Sequence, residues 1–180
     1  MCCGWCCELG LYRFEDKFPR VHPDAYVSPR ASLIGDVEVG AGSSIWEFAV
    51  LRGDMNEIRI GEGTSIQDNA SIHTTFGNGA YVGDYVTAGH NCVIHACEIG
   101  DRCVVGIGAI VLTGAKVGDD SVIGAGAVVT ENTVIPPNSL VLGIPGKVVK
   151  EVPETLKDAF AMGAKSYIEL AKIYRSQSGE

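Results

Sequence analysis

A beat of six residues constrains this chain more than any other feature. Aliphatic side chains fall at Val27, Leu33, Val39, Ile45 and Leu51, then at Ile60, Ile66 and Ile72, then at Val82, Ala88 and Ile94. After a five-residue step the beat runs from Ile99 through Val105, Val111, Val117, Ile123, Val129 and Ile135 to Val141. Four residues after most beats the side chain is small, as at Ala31, Ser43, Ala49, Thr64, Ala70, Cys92, Cys103, Ala109, Ala115, Ser121 and Ala127. A period of six fits neither an amphipathic helix nor a hairpin sheet. It predicts a parallel β-helix, in which each hexapeptide is a short strand plus a corner and three make one turn. The aliphatic side chain then fills the interior and the small one fits beside a crowded corner. Gly, Asn and Asp supply the unusual backbone angles that corners require.

On this beat the chain resembles the hexapeptide-repeat proteins, whose coil is left-handed; the handedness follows from the resemblance and not from the spacing. The expected architecture is all-β: a left-handed parallel β-helix over residues 11–152 with three strands per turn. After Pro153 the beat stops, and Leu156, Phe160, Ala164, Tyr167, Ala171 and Tyr174 recur at helical spacing with charges between them. They predict an amphipathic C-terminal α-helix over residues 153–176, laid back along the coil. Residues 1–10 read as a tag or other non-native extension, carrying Cys2, Cys3, Cys6 and Cys7 in "MCCGWCCELG". The rival reading of that cluster is a thiophilic metal site or a cross-link. Cys92, Cys97 and Cys103 belong to the coil, where a free cysteine packs as a small hydrophobe.

Composition excludes several functions. At 180 residues the chain is one domain with a small appendage, and its net charge of −8 disfavours nucleic acid and anionic membranes as partners. There is no apolar run of transmembrane length, nor the cationic flank and apolar core of a secretory signal. A cytoplasmic location is the expectation.

Three of the four histidines lie in "IHTTFGNGAYVGDYVTAGHNCVIH": His73, His90 and His95, separated by 17 and 5 residues. That matches no helical or knuckle spacing for a metal. Counting every third strand onto one face makes sense of it. The strands at Leu51, Ile72 and Ile94 share a face, with the longer corners 52–59 and 73–81 between turns. His73 and His95 each follow their beat residue, so they stack about 4.8 Å apart, and Arg52 takes the same slot one turn earlier. His90 falls on another face with Asp68 beneath it. If three prisms pack in parallel about a threefold axis, His90 of one chain completes the site begun by His73 and His95 of the next. His22 lies apart and reads as a surface residue.

These motifs are similar to those of the gamma-class carbonic anhydrase family. "AVLRGD" carries Arg52 and Asp54, "IQDNASIHT" carries Gln67, Asp68 and His73, and "GHNCVIHACEIGD" carries His90 and His95, while "SLVLGIPGKVV" closes the coil. The resemblance implies a homotrimer with Zn²⁺, or Fe²⁺ or Co²⁺ in some members, held by His73, His90 and His95 from two chains. It further implies an interfacial ion network of Arg52, Asp54 and Asp68, a Gln67 hydrogen bond to metal-bound solvent, and Tyr167 at the border of the site. Plainer roles stand beside these: the charged trio as trimer contacts, Gln67 and Tyr167 as packing groups.

The implied activity is the reversible hydration of CO₂ to bicarbonate by metal-bound hydroxide, since three neutral nitrogens leave the charge of the ion to acidify its water. The corner "TTFGNGA" lacks the acidic residues that export protons in the most active members, and Gly163 stands where asparagine is common. Slow turnover is therefore expected. The alternatives are a hexapeptide acyltransferase, a protein of thioester metabolism, or a non-enzymatic assembly subunit of the same fold.

Overall fold

The computed structural model describes residues 10–177. The cysteine-rich stretch at the N-terminus lies outside the described residues, although Gly10 belongs to the coil: it is buried, and its carbonyl accepts the Leu33 N–H at 2.8 Å.

The beat residues stack into three columns, one inside each face of a parallel β-helix. On the first face Leu11, Leu33, Leu51, Ile72, Ile94, Val111 and Val129 are register partners in succession. On the second the column runs Val21, Val39, Ile60, Val82, Ile99, Val117 and Ile135. On the third it runs Val27, Ile45, Ile66, Ala88, Val105, Ile123 and Val141. Three columns of seven make about seven turns, the architecture of the left-handed hexapeptide β-helix. The columns form one continuous core, with Leu33, Ile45, Leu51, Ile66 and Ile94 fully buried. A core of aliphatic residues one strand-spacing apart on three sides leaves no room for large side chains at the corners, which explains the small residues there.

Corners close through residues at positive φ, and these also stack. Phe48, Asn69, Asn91, Gly108 and Gly126 have φ of 58°, 58°, 57°, 66° and 66° at the edge between the third and first faces. Four of the five are Asn or Gly because those residues adopt the left-handed region at least cost; Phe48 is the exception. At the edge between the second and third faces Asp84, Asp101 and Asp119 form a ladder. Asp101 Oδ1 accepts the Asp84 N–H at 2.9 Å, and Asp119 Oδ1 accepts the Asp101 N–H at 3.0 Å. A Cβ on Gly83 would collide with Asp101 Oδ1, so the ladder itself requires glycine there.

Three local features depart from the six-residue reading. The stretch expected as a corner at 52–59 is strand: Val50–Ile60 runs unbroken round the edge from the first face to the second, paired to Ser32–Val39 through Gly53 and again from Ile58. Its extra residues are absorbed by a register shift between Gly35 and Val37, so no loop is needed. The corner at 73–81 does open into a loop, Thr74–Gly79, before strand Ala80–Val82. The coil also does not end in parallel register: after a cis Ile144–Pro145 bond, Lys147–Glu151 turns back antiparallel to Ser139–Leu142. The helix spans Glu154–Gln177.

The three outer surfaces differ in kind. The third is covered by the helix, whose Tyr167, Ala171 and Tyr174 pack on Tyr26 and Trp46. The second presents charges, among them Arg20, Glu38, Arg59, Glu98 and Lys116, paired across neighbouring strands. The first presents Val50, Ser71, Val93, Ile110 and Val128 in register, exposed or half-buried among the described residues.

Candidate metal centre

Strand pairing at the edge of the first face sets the histidines. Arg52, His73 and His95 are consecutive register partners, one per turn, because each follows its buried beat residue. The period-two alternation of a strand turns all three side chains outward. His73 Nδ1 and His95 Nε2 face each other at 3.3 Å, with ring centroids 5.3 Å apart. Two ligands each about 2.0–2.1 Å from one tetrahedral ion would stand roughly 3.3–3.4 Å apart. The pair fits a shared divalent ion.

Each ring is held from behind. His73 Nε2 lies 3.3 Å from Asp54 Oδ1, and the other oxygen of Asp54 accepts a 2.6 Å hydrogen bond from Arg52. Burial alone would raise the Asp54 carboxyl, but the Arg52 guanidinium, His73 and the Met55 N–H together hold it below its usual range. Burial, and then the charge of Arg52, lower the His73 pKa against the opposing pull of Asp54. Both effects favour the neutral ring, the form that binds metals. On the far side, His95 Nδ1 meets Thr113 Oγ1 at 2.9 Å. Thr113 was not singled out from the sequence. A hydroxyl in a corner is common, and only the rung alignment across the five-residue step from Ile94 to Ile99 brings it to His95.

His90 stands elsewhere in the chain. It lies two residues past Ala88 at the edge between the third and first faces, half exposed, with Nδ1 2.9 Å from Asp68 Oδ2 on the turn below. Among the described residues of one chain, no three His, Cys, Asp or Glu side chains come close enough together to hold a metal. The structure thus joins Arg52, Asp54, His73 and His95 in one cluster and Asp68 and His90 in a second. Gln67 is buried beside Asp68, its N–H donating to the Ala88 carbonyl at 2.9 Å. Tyr167 packs edge-on to Trp46, ring centroids 5.9 Å apart, under the helix. His22 is a surface residue whose Nδ1 accepts the Asp24 N–H at 3.1 Å.

A hexapeptide β-helix with two in-register histidines and a third on a separate edge defines a narrow class within the repeat proteins. A family profile described as "Bacterial transferase hexapeptide (six repeats)" matches residues 96–131. The chain is 46% identical over 150 residues to "Probable carbonic anhydrase" of Methanocaldococcus jannaschii, covering 83% of this chain and 94% of that one. It is 42% identical over 176 residues to "Gamma carbonic anhydrase 2, mitochondrial" of Arabidopsis thaliana, covering 94% of this chain and 63% of that protein's length. The chain thus spans under two thirds of the plant relative. The crystal structure of a hexapeptide transferase family protein from Anaplasma phagocytophilum superposes with a TM-score of 0.89 at 36% identity, covering 92% of this chain and 98% of that one. The chain belongs to the gamma carbonic anhydrase family.

Proposed function

We propose that this protein catalyses the reversible hydration of CO₂ to bicarbonate at sites shared between the subunits of a homotrimer. Each site would draw His73 and His95 from one subunit and His90 from its neighbour. The observation that carries this reading is the His73–His95 pair, stacked one turn apart with facing nitrogens 3.3 Å from each other. The apolar outer surface of the first face supports the assembly. It lies between the edge bearing His73 and His95 and the edge bearing His90, where Phe48 and Ile107 are 57% and 58% exposed. Apolar surface bounded by two half-sites is the pattern of an interface, whereas the charged second face is that of a solvated one.

Three imidazoles would hold Zn²⁺, Fe²⁺ or Co²⁺, and the bound ion would supply the Lewis acidity that makes hydroxide available near neutral pH. The residues of the chain do the rest. Asp54, kept ionised by Arg52, holds a proton on His73 Nε2 and so fixes that ring. Buried Gln67 and the Asp68–His90 pair lie on the opposing edge, ready to orient the neighbour's contribution. The loop Thr74–Gly79 beside His73 has no carboxylate, and its Phe76 is 83% exposed. Proton export would therefore fall to solvent buffer.

The test is metal content and CO₂ hydration on trimer prepared without oxygen and loaded in turn with zinc, ferrous iron and cobalt. Expected are one ion per subunit, hydration above background, a rate that rises with imidazole buffer concentration, and loss of both metal and activity in His95→Ala. Absence of hydration with every metal would overturn the enzymatic reading. Acyl transfer is the second reading, favoured by the hexapeptide transferase structure that overlays this chain. It does not need His73 and His95 to face one another, so acyl transfer to an amine acceptor that survives in His73→Ala would favour it.

A further inference from the structure

We infer that Thr113 is a positioning residue for the metal site: its hydroxyl accepts the Nδ1 proton of His95 and so leaves the Nε2 lone pair of His95 turned toward His73. This rests on the metal-site reading above and adds to it an assignment of protons.

The assignment follows from counting donors. A carboxylate oxygen only accepts, so the contact between Asp54 Oδ1 and His73 Nε2 requires the proton of His73 to sit on Nε2. Neutral His73 then presents a bare Nδ1 to His95 Nε2, 3.3 Å away. His95 has one proton and two places for it. On Nε2 it would donate to His73 Nδ1, and the two rings would satisfy each other with no ion between them. On Nδ1 it meets Thr113 Oγ1 at 2.9 Å, the shorter of the two contacts. Two bare nitrogens then face each other, an arrangement that is repulsive when empty and attractive to a cation. A hydroxyl can also donate to a bare Nδ1, so Thr113 stays bonded to His95 in both forms, and it is the acceptor the Nδ1 proton needs once a cation takes the Nε2 lone pair.

The backbone holds that hydroxyl in place. The Thr113 carbonyl accepts the Asn132 N–H at 2.9 Å, and the N–H of Gly114, at φ 72°, donates to the Ala96 carbonyl at 2.8 Å. The equivalent corner on the His73 turn also carries a threonine, but Thr74 Oγ1 accepts the Asn56 N–H at 3.1 Å and serves the backbone. Among the described residues the Thr113 hydroxyl has His95 as its partner.

The experiment uses the full-length trimer in three forms: the parent, Thr113→Val, which keeps the shape and removes the hydroxyl, and Thr113→Ser, which restores it. Nitrogen-15 NMR of the histidine-labelled proteins should find the His95 proton on Nδ1 in the zinc-loaded parent and in zinc-loaded Thr113→Ser, and on Nε2 in metal-free Thr113→Val, where Nδ1 has lost its hydroxyl partner. Zinc affinity, measured by competition with a chelator, should fall about 10- to 100-fold in Thr113→Val and return in Thr113→Ser. Circular dichroism and trimer mass establish that Thr113→Val is folded; if it is not, the parent's NMR decides alone. A zinc-loaded parent whose His95 proton sits on Nε2, or an unchanged zinc affinity in Thr113→Val when His95→Ala abolishes binding, overturns the inference. Zinc binding that survives His95→Ala overturns the metal-site reading and this inference with it.

Discussion

Cys103 occupies a corner column that also holds Ser43, Thr64 and Ser121, whose hydroxyls donate to backbone carbonyls one turn on at 2.7, 2.7 and 3.1 Å. Its thiol does the same toward the Gly118 carbonyl at 3.2 Å, a weaker donor in the same slot. Burial pushes the thiols of Cys92, Cys97 and Cys103 up to about 12. At pH 8 all three are therefore protonated and enclosed, and peptide mapping after iodoacetamide treatment of the native protein should find them unmodified. Alkylation of any of them without unfolding would contradict this burial. A second residue-scale test concerns Asp120, which accepts hydrogen bonds from Arg102 at 2.8 and 3.0 Å that hold its carboxyl below the usual range. A depressed folded pKa means the contribution is present above the unfolded value near 3.9 and fades as pH falls through the folded one. Asp120→Asn keeps the positive φ of 59°, which Asn tolerates. It should lower stability by less than about 1 kcal/mol at pH 7, with urea midpoints converging on the parent's in acid. A deficit that persists unchanged in acid would mean the residue acts otherwise than through its charge. The buried columns at this scale were legible in the sequence because every beat residue is apolar and every turn repeats it. Asp68 beneath His90 was legible from the same count, but the contacts of Asp54 with His73 and of Thr113 with His95 were not, since they cross turns at positions the beat does not align.

The C-terminal helix was legible as an element, expected over 153–176 and found over Glu154–Gln177, because its apolar spacing changes from six to helical after Pro153. Its attachment was less so. The C-terminal half packs Tyr167 and Tyr174 on Trp46, whose indole N–H donates to Ser65 Oγ at 2.9 Å. The N-terminal half sets Ala161 and Ala164 over Thr87, Val104 and Val122 and leaves a cavity of about 330 Å³. Large aromatics at one end and alanines at the other make the helix stand off the coil. Trp46→Ala should therefore release the whole element, at a cost of about 3–5 kcal/mol. Limited proteolysis should then cut within the helix while the strand signal in circular dichroism persists. Unchanged protease resistance would show that the helix is held elsewhere. The continuous strand Val50–Ile60 was misread as a corner because extra residues look like a loop when only the beat is counted. A neighbouring strand that bends with it absorbs them.

For the whole molecule, the arrangement of faces makes a sharp claim about assembly. If each site takes His90 from one subunit and His95 from the next, then His90→Ala and His95→Ala subunits are each inactive alone but complementary in mixed trimers. Random one-to-one mixing should restore about a quarter of the sites, those with an intact residue on each side of the boundary. Metal content of trimers refolded together is the measurement, and mixtures that bind no more than their parents would refute the shared site. The sequence could suggest this geometry because the six-residue beat assigns every residue to a face. It could not say which outer surface is apolar without first knowing which residues alternate outward.

The ladder that aligns His73 with His95 also makes the site indifferent to the length of the coil. The two rings belong to adjacent turns, and Ala88, Val105 and Ile123 show that later turns repeat at 17 and 18 residues without altering the phase of the face. A complete turn could be added or removed beyond Thr130 as a module, and the spacing of the histidines would remain what one strand pairing imposes. A single residue inserted within strand Ser71–His73 or Val93–His95 has no such freedom, because it would turn one imidazole toward the interior or onto a different face. The site is addressed by storey and side, as a window in a tower is, and the number of storeys above it is free to vary.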